Sequence, residues 1–207
     1  MVLLIGIAIP TLESVVGIKA RQEVSALASN IRATRGHAAV ADETCRMVFC
    51  IKDCTAAGKG QSQPDNSYYV ECTKGDATIQ KEGSRNQEMD QADSDDFDVS
   101  QSDEAAQERK RLQEKTAFKP SPVLPVQKLK GIDFGDIWVA HQTEKYDKGK
   151  AYLYFFPSGE TELANIELHH GEDDWYSIHV YPLSGEIKVV GDKEDIPDQD
   201  SSDEEDF

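Results

Sequence analysis

The strongest constraint on this chain is a change of apolar pattern near its start. "MVLLIGIAI" runs without a polar residue into Pro10. Beyond the proline, Leu12, Val15, Val16, Ala20, Val24, Leu27 and Ile31 recur at steps of three and four, which draws one stripe along an α-helix. Lys19, Arg21, Gln22, Glu23 and Arg32 fall mostly off that stripe. Residues 1–36 therefore read as one long helix, apolar all round in its first half and amphipathic in its second, ending near Arg35 where Gly36 offers a stop. Pro10 sits at the join, removes a backbone donor and is expected to bend the helix. The apolar half alone is too short for a membrane span, which takes about 20 apolar residues.

Residues 37–73 switch to strand periodicity. Cys45, Met47, Phe49 and Ile51 alternate with Arg46, Val48, Cys50 and Lys52, and "SYYVECTKGD" puts Tyr68, Val70 and Cys72 on one face. "GKGQSQPDN" between them reads as a loop. An antiparallel hairpin with Phe49 opposite Tyr68 and Met47 opposite Val70 also sets Cys45 opposite Cys72, and turns all six side chains to one core. Cys50 and Cys54 would then close a small loop. Four cysteines allow three connectivities, so this pairing stays one of them. Their spacing fits no standard zinc pattern, and behind an apolar start disulfides in an oxidising compartment are the better reading.

Residues 74–127 turn polar and charged. Such a stretch cannot bury enough surface to offset its ordering entropy and reads as an excursion, with a short helix from Glu104 to Lys115. "KPSPVLPVQK" brings the chain back as an extended, proline-rich strap. Residues 128–191 are β-rich: "GIDFGDIWVAHQ", "KAYLYFFPSGE", "ANIELHH", "WYSIHVYP" and "LSGEIKVVG" alternate, with turns at Pro157-Ser158-Gly159 and Ser184-Gly185. No helical period separates these strands, so a parallel βαβ arrangement is not expected. The expected fold class is α+β, a long N-terminal helix packed on an antiparallel β-sheet body of two packed sheets. Residues 192–207 read as a disordered acidic tail.

Charge narrows the partners. The net charge is −17, and close to half of it lies between Gly191 and Phe207. Phosphate binding relies on Lys and Arg clusters, so nucleic acid is not an expected partner. His169 and His170 are adjacent, and neighbours on a strand point to opposite faces, so a shared metal is not expected there. "DQDSSDEEDF" offers oxygens to Ca²⁺ but lacks the spacing and loop glycine of an EF-hand. Ser158 stands in no G-x-S-x-G elbow, and no catalytic triad, phosphate loop or dinucleotide fingerprint occurs. Neither catalysis nor a cofactor is expected. Trp138, Trp175, Tyr152 and Tyr154 read as sheet packing, with recognition as the other role open to them.

Three stretches resemble a known family. A helix that is apolar first and amphipathic second, with a proline near the join and a β-body behind it, resembles the type IV pilin-like proteins. "ALASNIRATRGHAAVADETCRMVF" is similar to the passage from stem helix to first strand in the pseudopilin GspH and its relative FimT. "YLYFFPSGETELANIEL" and "SIHVYPLSGEIKVV" resemble the C-terminal strands and glycine turns of the same family. The resemblance covers Met1 to about Val48 and Ala151 to Val190. The family's precursor begins with a short basic leader ending in glycine, with a glutamate soon after. Neither stands in front of Pro10 here, so Met1 is expected to lie inside the anchor, with about a dozen residues missing ahead of it.

The resemblance implies a filament subunit. Leu3, Leu4, Ile5, Ile7, Ile9 and Pro10 would pack against the stems of neighbouring subunits, and Val24, Leu27 and Ile31 would dock the helix on its own sheet. The partners implied are other pseudopilins, secretion-apparatus subunits and the bacterial inner membrane, with the β-domain in the periplasm. The expected function is that of a minor pseudopilin in a type II secretion pseudopilus, which drives protein export across the outer membrane. The alternative is a FimT-like minor pilin that binds DNA during uptake. Such a protein would carry Arg and Lys near its C-terminus, whereas this chain ends in Asp and Glu.

Overall fold

The structure, a computed structural model, describes residues 12–54, 64–74, 117–142 and 144–195, with side chains from Gly17 onward. It holds one helix, α1 (Leu12–Ala41), and nine strands among those residues. These are β1 (Thr44–Cys50), β2 (Ser67–Thr73), β3 (Lys119–Pro120), β4 (Gln127–Lys128), β5 (Asp133–Val139), β6 (Lys150–Phe155), β7 (Ala164–His170), β8 (Asp174–Val180) and β9 (Ile187–Val190). The strands form two antiparallel sheets, β3–β2–β1–β6 with β4 also on β2, and β5–β7–β8–β9. The α+β class expected from the sequence is the one observed. No helix of the described residues is long and apolar enough to cross a membrane.

The helix runs past the expected stop at Gly36. Its last turn is closed instead at Asp42, which adopts a left-handed φ of 55°, while the Glu43 amide donates back to the Ala38 carbonyl at 3.1 Å. That is a Schellman closure with aspartate in the position glycine usually takes. A mid-helix glycine costs only about 1 kcal/mol. Ala38, fully buried beyond it, and the following alanines offset that cost.

β1 pairs β2 with Cys45 opposite Cys72, Met47 opposite Val70 and Phe49 opposite Tyr68, the register expected from the alternation. The returning strap lies along the other edge of β2 as two short pieces, β3 and β4. Pro122 and Pro125 fall between them. Proline has no amide to donate to a ladder, so the edge strand breaks there. Two bonds still cross the gap, from the Val70 amide to the Leu124 carbonyl and from the Ser121 amide to the Val70 carbonyl.

β5 carries a register shift between Phe134 and Ile137. Gly135 sits in that bulge because nothing larger fits. A Cβ there would lie 2.9 Å from a Trp175 ring carbon and 3.2 Å from the Glu167 Cβ. The chain leaves the first sheet for the second through Phe156–Thr161, where Gly159 turns at a φ of 83° and its amide donates to the Phe156 carbonyl.

One core serves helix and sheets. Val24, Leu27 and Ile31 from α1 meet Met47, Phe49, Val70 and Leu153 of the first sheet, and Phe134, Ile166, Leu168 and Ile178 of the second. Phe49 and Phe134 touch edge to face across the sheets, centroids 5.7 Å apart. Leu27 is fully buried, whereas Val40 is 89% exposed. Leu27→Ala is expected to lower unfolding stability by about 2–5 kcal/mol in urea titrations, and Val40→Ala to change it by no more than about 0.5 kcal/mol. Equal effects at the two positions would mean that α1 is not docked by this stripe.

Candidate functional site

Helix α1 has one committed face. Val24, Leu27 and Ile31 are buried together with Ala20, Ala28, Thr34 and Ala38. Three polar side chains add tethers. Asn30 Nδ2 donates to the Tyr68 hydroxyl at 2.9 Å, Arg32 to the Ile187 carbonyl at 2.9 Å, and Arg35 Nε to the Gly159 carbonyl at 2.6 Å. The opposite face is exposed and carries Gln22, Ser25, Ala26, Ser29, Ala33, Gly36 and Val40, small side chains except for the glutamine and the valine. Ile18 is 56% exposed on the segment nearest the apolar run. Leu3, Leu4, Ile5, Ile7, Ile9 and Pro10 lie outside the described residues, as do the expected bend at Pro10 and the expected helix from Glu104 to Lys115.

The outer face of the first sheet is organised by Arg46. Its guanidinium pairs with Glu71 at 3.0 Å, stacks over Phe118 at 4.3 Å and Tyr152 at 4.5 Å, and reaches the Tyr154 hydroxyl at 3.4 Å. Burial works against its charge, but the pull of Tyr154 and Glu71 outweighs it and raises its pKa. Burial likewise pushes Tyr69 upward. Beside it, Val48, Cys50, Cys54 and Tyr69 make a second small apolar cluster, with Cys50 joined to Cys54. On the inner side Cys45 is joined to Cys72.

The outer face of the second sheet is polar yet covered. Asn165, Glu167, Ser177 and His179 are all buried. The cover is the segment Asp192–Asp195, which the sequence assigns to the disordered tail. It folds back onto the sheet because its backbone finds partners there. The Glu194 amide donates to Ser177 Oγ at 2.9 Å, and Ser177 Oγ to the Asp192 carbonyl at 2.9 Å. Asn165 Nδ2 and His179 Nε2 both donate to the Glu194 carbonyl at 3.1 Å. Lys193 meets the buried Glu167 carboxylate at 2.9 Å and lies 4.7 Å from the Trp175 ring. Lys145 bridges Glu167 and Asp195.

His141 and Glu162 form a further buried pair, 2.7 Å apart. The second Glu162 oxygen accepts from the Tyr154 amide at 3.0 Å, so the pair anchors the segment where the chain changes sheets.

His169 and His170 do not converge. His169 stacks on Trp175 with centroids 4.9 Å apart, and His170 donates to the Gly131 carbonyl at 2.6 Å. Ser158 contacts Glu160 in an exposed turn. Tyr152 and Tyr154 line the Arg46 network, Trp175 donates to the Glu172 carbonyl at 3.0 Å, and Trp138 stands opposite Asn165 on the covered outer face. Most of "DQDSSDEEDF" lies outside the described residues. The covered polar face escaped sequence reading because its alternation, Asn165 and Glu167 against Ile166 and Leu168, is what a solvated face also shows.

No family model matches the chain, and no curated protein matches it. Among solved structures it is similar to the minor pseudopilin EpsH from the Type 2 Secretion System of Vibrio cholerae, at a TM-score of 0.43 and 8% identity, over 86% of this chain and 99% of that one.

The strap over the second sheet makes a pH prediction. Hydrogen bonding to Lys145 holds the Asp195 carboxyl below its ordinary value, and Asp195 and Glu167 raise Lys145 and Lys193 respectively. A lowered carboxyl stabilises above its unfolded value near 3.9, and that contribution disappears as pH falls through the folded pKa. A raised lysine stabilises below about 10.4 and loses its contribution as pH rises through the folded pKa. The strap should therefore stay docked between these limits. In a Trp138→Phe, His169→Gln background, which removes the second indole and the imidazole stacked on Trp175, the Trp175 indole NMR signal should hold from about pH 5 to pH 9 and shift in acid. Lys193→Met, which removes the cation between Glu167 and the Trp175 ring, should produce a shifted signal already at neutral pH. An indole signal unaffected by Lys193→Met would contradict the docking.

Proposed function

We propose that this chain is a minor pseudopilin of the GspH type, a subunit that helps assemble the periplasmic filament of a type II secretion system. The observation that carries the reading is the division of α1. One face is committed to the chain's own sheets, the opposite face is exposed, and the helix leads back toward the apolar run "MVLLIGIAIP". An apolar run of that composition next to a docked helix suits a further apolar partner, lipid or protein.

In this reading Leu3, Leu4, Ile5, Ile7 and Ile9 sit in the inner membrane before assembly and among sister stems afterward. Lipid and protein are similarly apolar, so moving between them changes free energy little, and association relies on close packing. Ser25, Ser29, Ala33 and Gly36 permit such approach on the exposed face. The β-domain faces the periplasm, an oxidising compartment that suits the Cys45–Cys72 and Cys50–Cys54 disulfides. The partners are other pseudopilins and secretion-apparatus subunits. A net charge of −17 disfavours a DNA-binding role.

Deleting the gene in the producing bacterium is expected to leave type II cargo inside the cell, and a plasmid copy to restore export. A copy carrying Ile5→Asp and Ile7→Asp should restore none, while the β-domain still accumulates on immunoblots. Export that survives the deletion would sink the proposal, and loss of DNA uptake with export intact would favour the FimT-like alternative.

A further inference from the structure

The end of α1 and the first hairpin bring four metal-binding groups together. His37 comes from the last turns of the helix, Glu43 from its closing turn, Cys45 from β1 and Cys72 from β2. Their ligand atoms all lie within 4.8 Å of one another. His37 Nε2 is 3.6 Å from one Glu43 oxygen, and the other Glu43 oxygen is 3.7 Å from Lys74 Nζ. Cys45 is fully buried, while His37 and Glu43 are half-buried. His37, Glu43 and Cys72 line a cleft of about 520 Å³ together with Lys119, Pro120 and Ser121. Ions can therefore reach His37, Glu43 and Cys72 through the cleft, while Cys45 is fully buried.

Thiolate, imidazole and carboxylate are the ligands zinc takes in closed tetrahedral sites, at about 2.3 Å for sulfur and 2.0–2.2 Å for nitrogen and oxygen. Neighbouring ligand atoms in such a site stand roughly 3.3–3.8 Å apart; His37 Nε2 and the Glu43 oxygen already stand at that spacing, while the two sulfurs, bonded to each other, must separate to reach it. Two sulfurs bonded to each other do not offer the two thiolates that the site needs. Two free cysteines at the same positions do.

We propose that, in the dithiol form of the chain, Cys45, Cys72, His37 and Glu43 bind one Zn²⁺ ion, and that formation of the Cys45–Cys72 disulfide expels it. The step balances without another metal. The two zinc-bound thiolates give up two electrons and become the disulfide. A disulfide-class oxidant, protein or small molecule, takes those electrons and two protons from water and leaves as two thiols, and Zn²⁺ departs. The newly made chain carries thiols, so the zinc form needs no reductant. The two states are mutually exclusive because they use the same sulfurs.

They also differ in what they hold. The disulfide ties β1 to β2. The metal ties the helix end and its closing turn to that pair as well, so a chain that has not yet been oxidised can already fix α1 on the sheet. Cys50 and Cys54 lack this setting: among the described residues the cluster at His37 is the one group of its kind. The inference stands apart from the pseudopilin reading and survives its failure.

The test is a metal titration of the full chain, reduced with a phosphine and handled without oxygen. Co²⁺ should bind at one ion per chain with the thiolate charge-transfer band and the strong visible bands of a tetrahedral site, and Zn²⁺ should displace it. In a Cys50→Ser, Cys54→Ser background the same spectrum should persist. His37→Ala in that background should weaken binding at least tenfold, and the oxidised chain should bind none. Should the double serine variant not fold, X-ray absorption of the reduced wild-type chain with zinc decides, with two sulfur and two nitrogen or oxygen neighbours expected. No binding by the reduced chain, unchanged affinity in His37→Ala, binding by the oxidised chain, or a shell of four sulfurs would each overturn the proposal.

Discussion

Burial of one helical stripe between two sheets is the contact on which the rest of the molecule depends. The two sheets touch directly where Phe49 meets Phe134, and the helix adds its stripe to the same core. Leu27, Ile31 and their neighbours on α1 share one core with Met47 and Phe49 on one side and Ile166 and Ile178 on the other. Each large apolar side chain so covered contributes roughly 1.5–3 kcal/mol. The polar tethers from Asn30, Arg32 and Arg35 refine the angle of the helix rather than supply the drive, since a net hydrogen bond contributes about 1 kcal/mol.

With the inner faces committed to that core, the outer faces carry the polar variety. On the first sheet Arg46 is fully engaged by Glu71 and a ring of aromatic side chains. On the second, a buried Glu167 is balanced by lysines from two separate segments, Lys145 and Lys193. Removing one partner from such a set is costly because a buried charge is left alone. These networks thus make the segments that reach them part of the folded body. The short stretch Asp192–Asp195 is held in this way although its composition is that of a solvated tail.

What could be read from the sequence was what repeats. The stripe from Ala20 to Ile31 fixes the docked face of α1, and the alternation in "TCRMVFC" and "SYYVECT" fixes the register that sets Cys45 opposite Cys72. The turn at Gly159 was legible because only glycine takes that backbone shape cheaply. What depends on distant partners was not legible. The helix runs past Gly36 because Ala38 is buried under the sheets and Asp42 closes the turn, neither of which shows in local propensity. The convergence of His37 and Glu43 on a cysteine pair from two strands likewise has no sequence spacing to announce it. The apolar run from Met1 to Pro10 lies outside the described residues, and its role rests on its composition.

If the stripe unites helix and sheets, α1 has no separate stability. Native-state hydrogen exchange under increasing urea measures this most directly. The account predicts that amides from Val24 to Ala38 open together with those of β1 and β7, at one common free energy equal to that of global unfolding. Exchange of the helix at a distinctly lower free energy, with both sheets still protected, would contradict it.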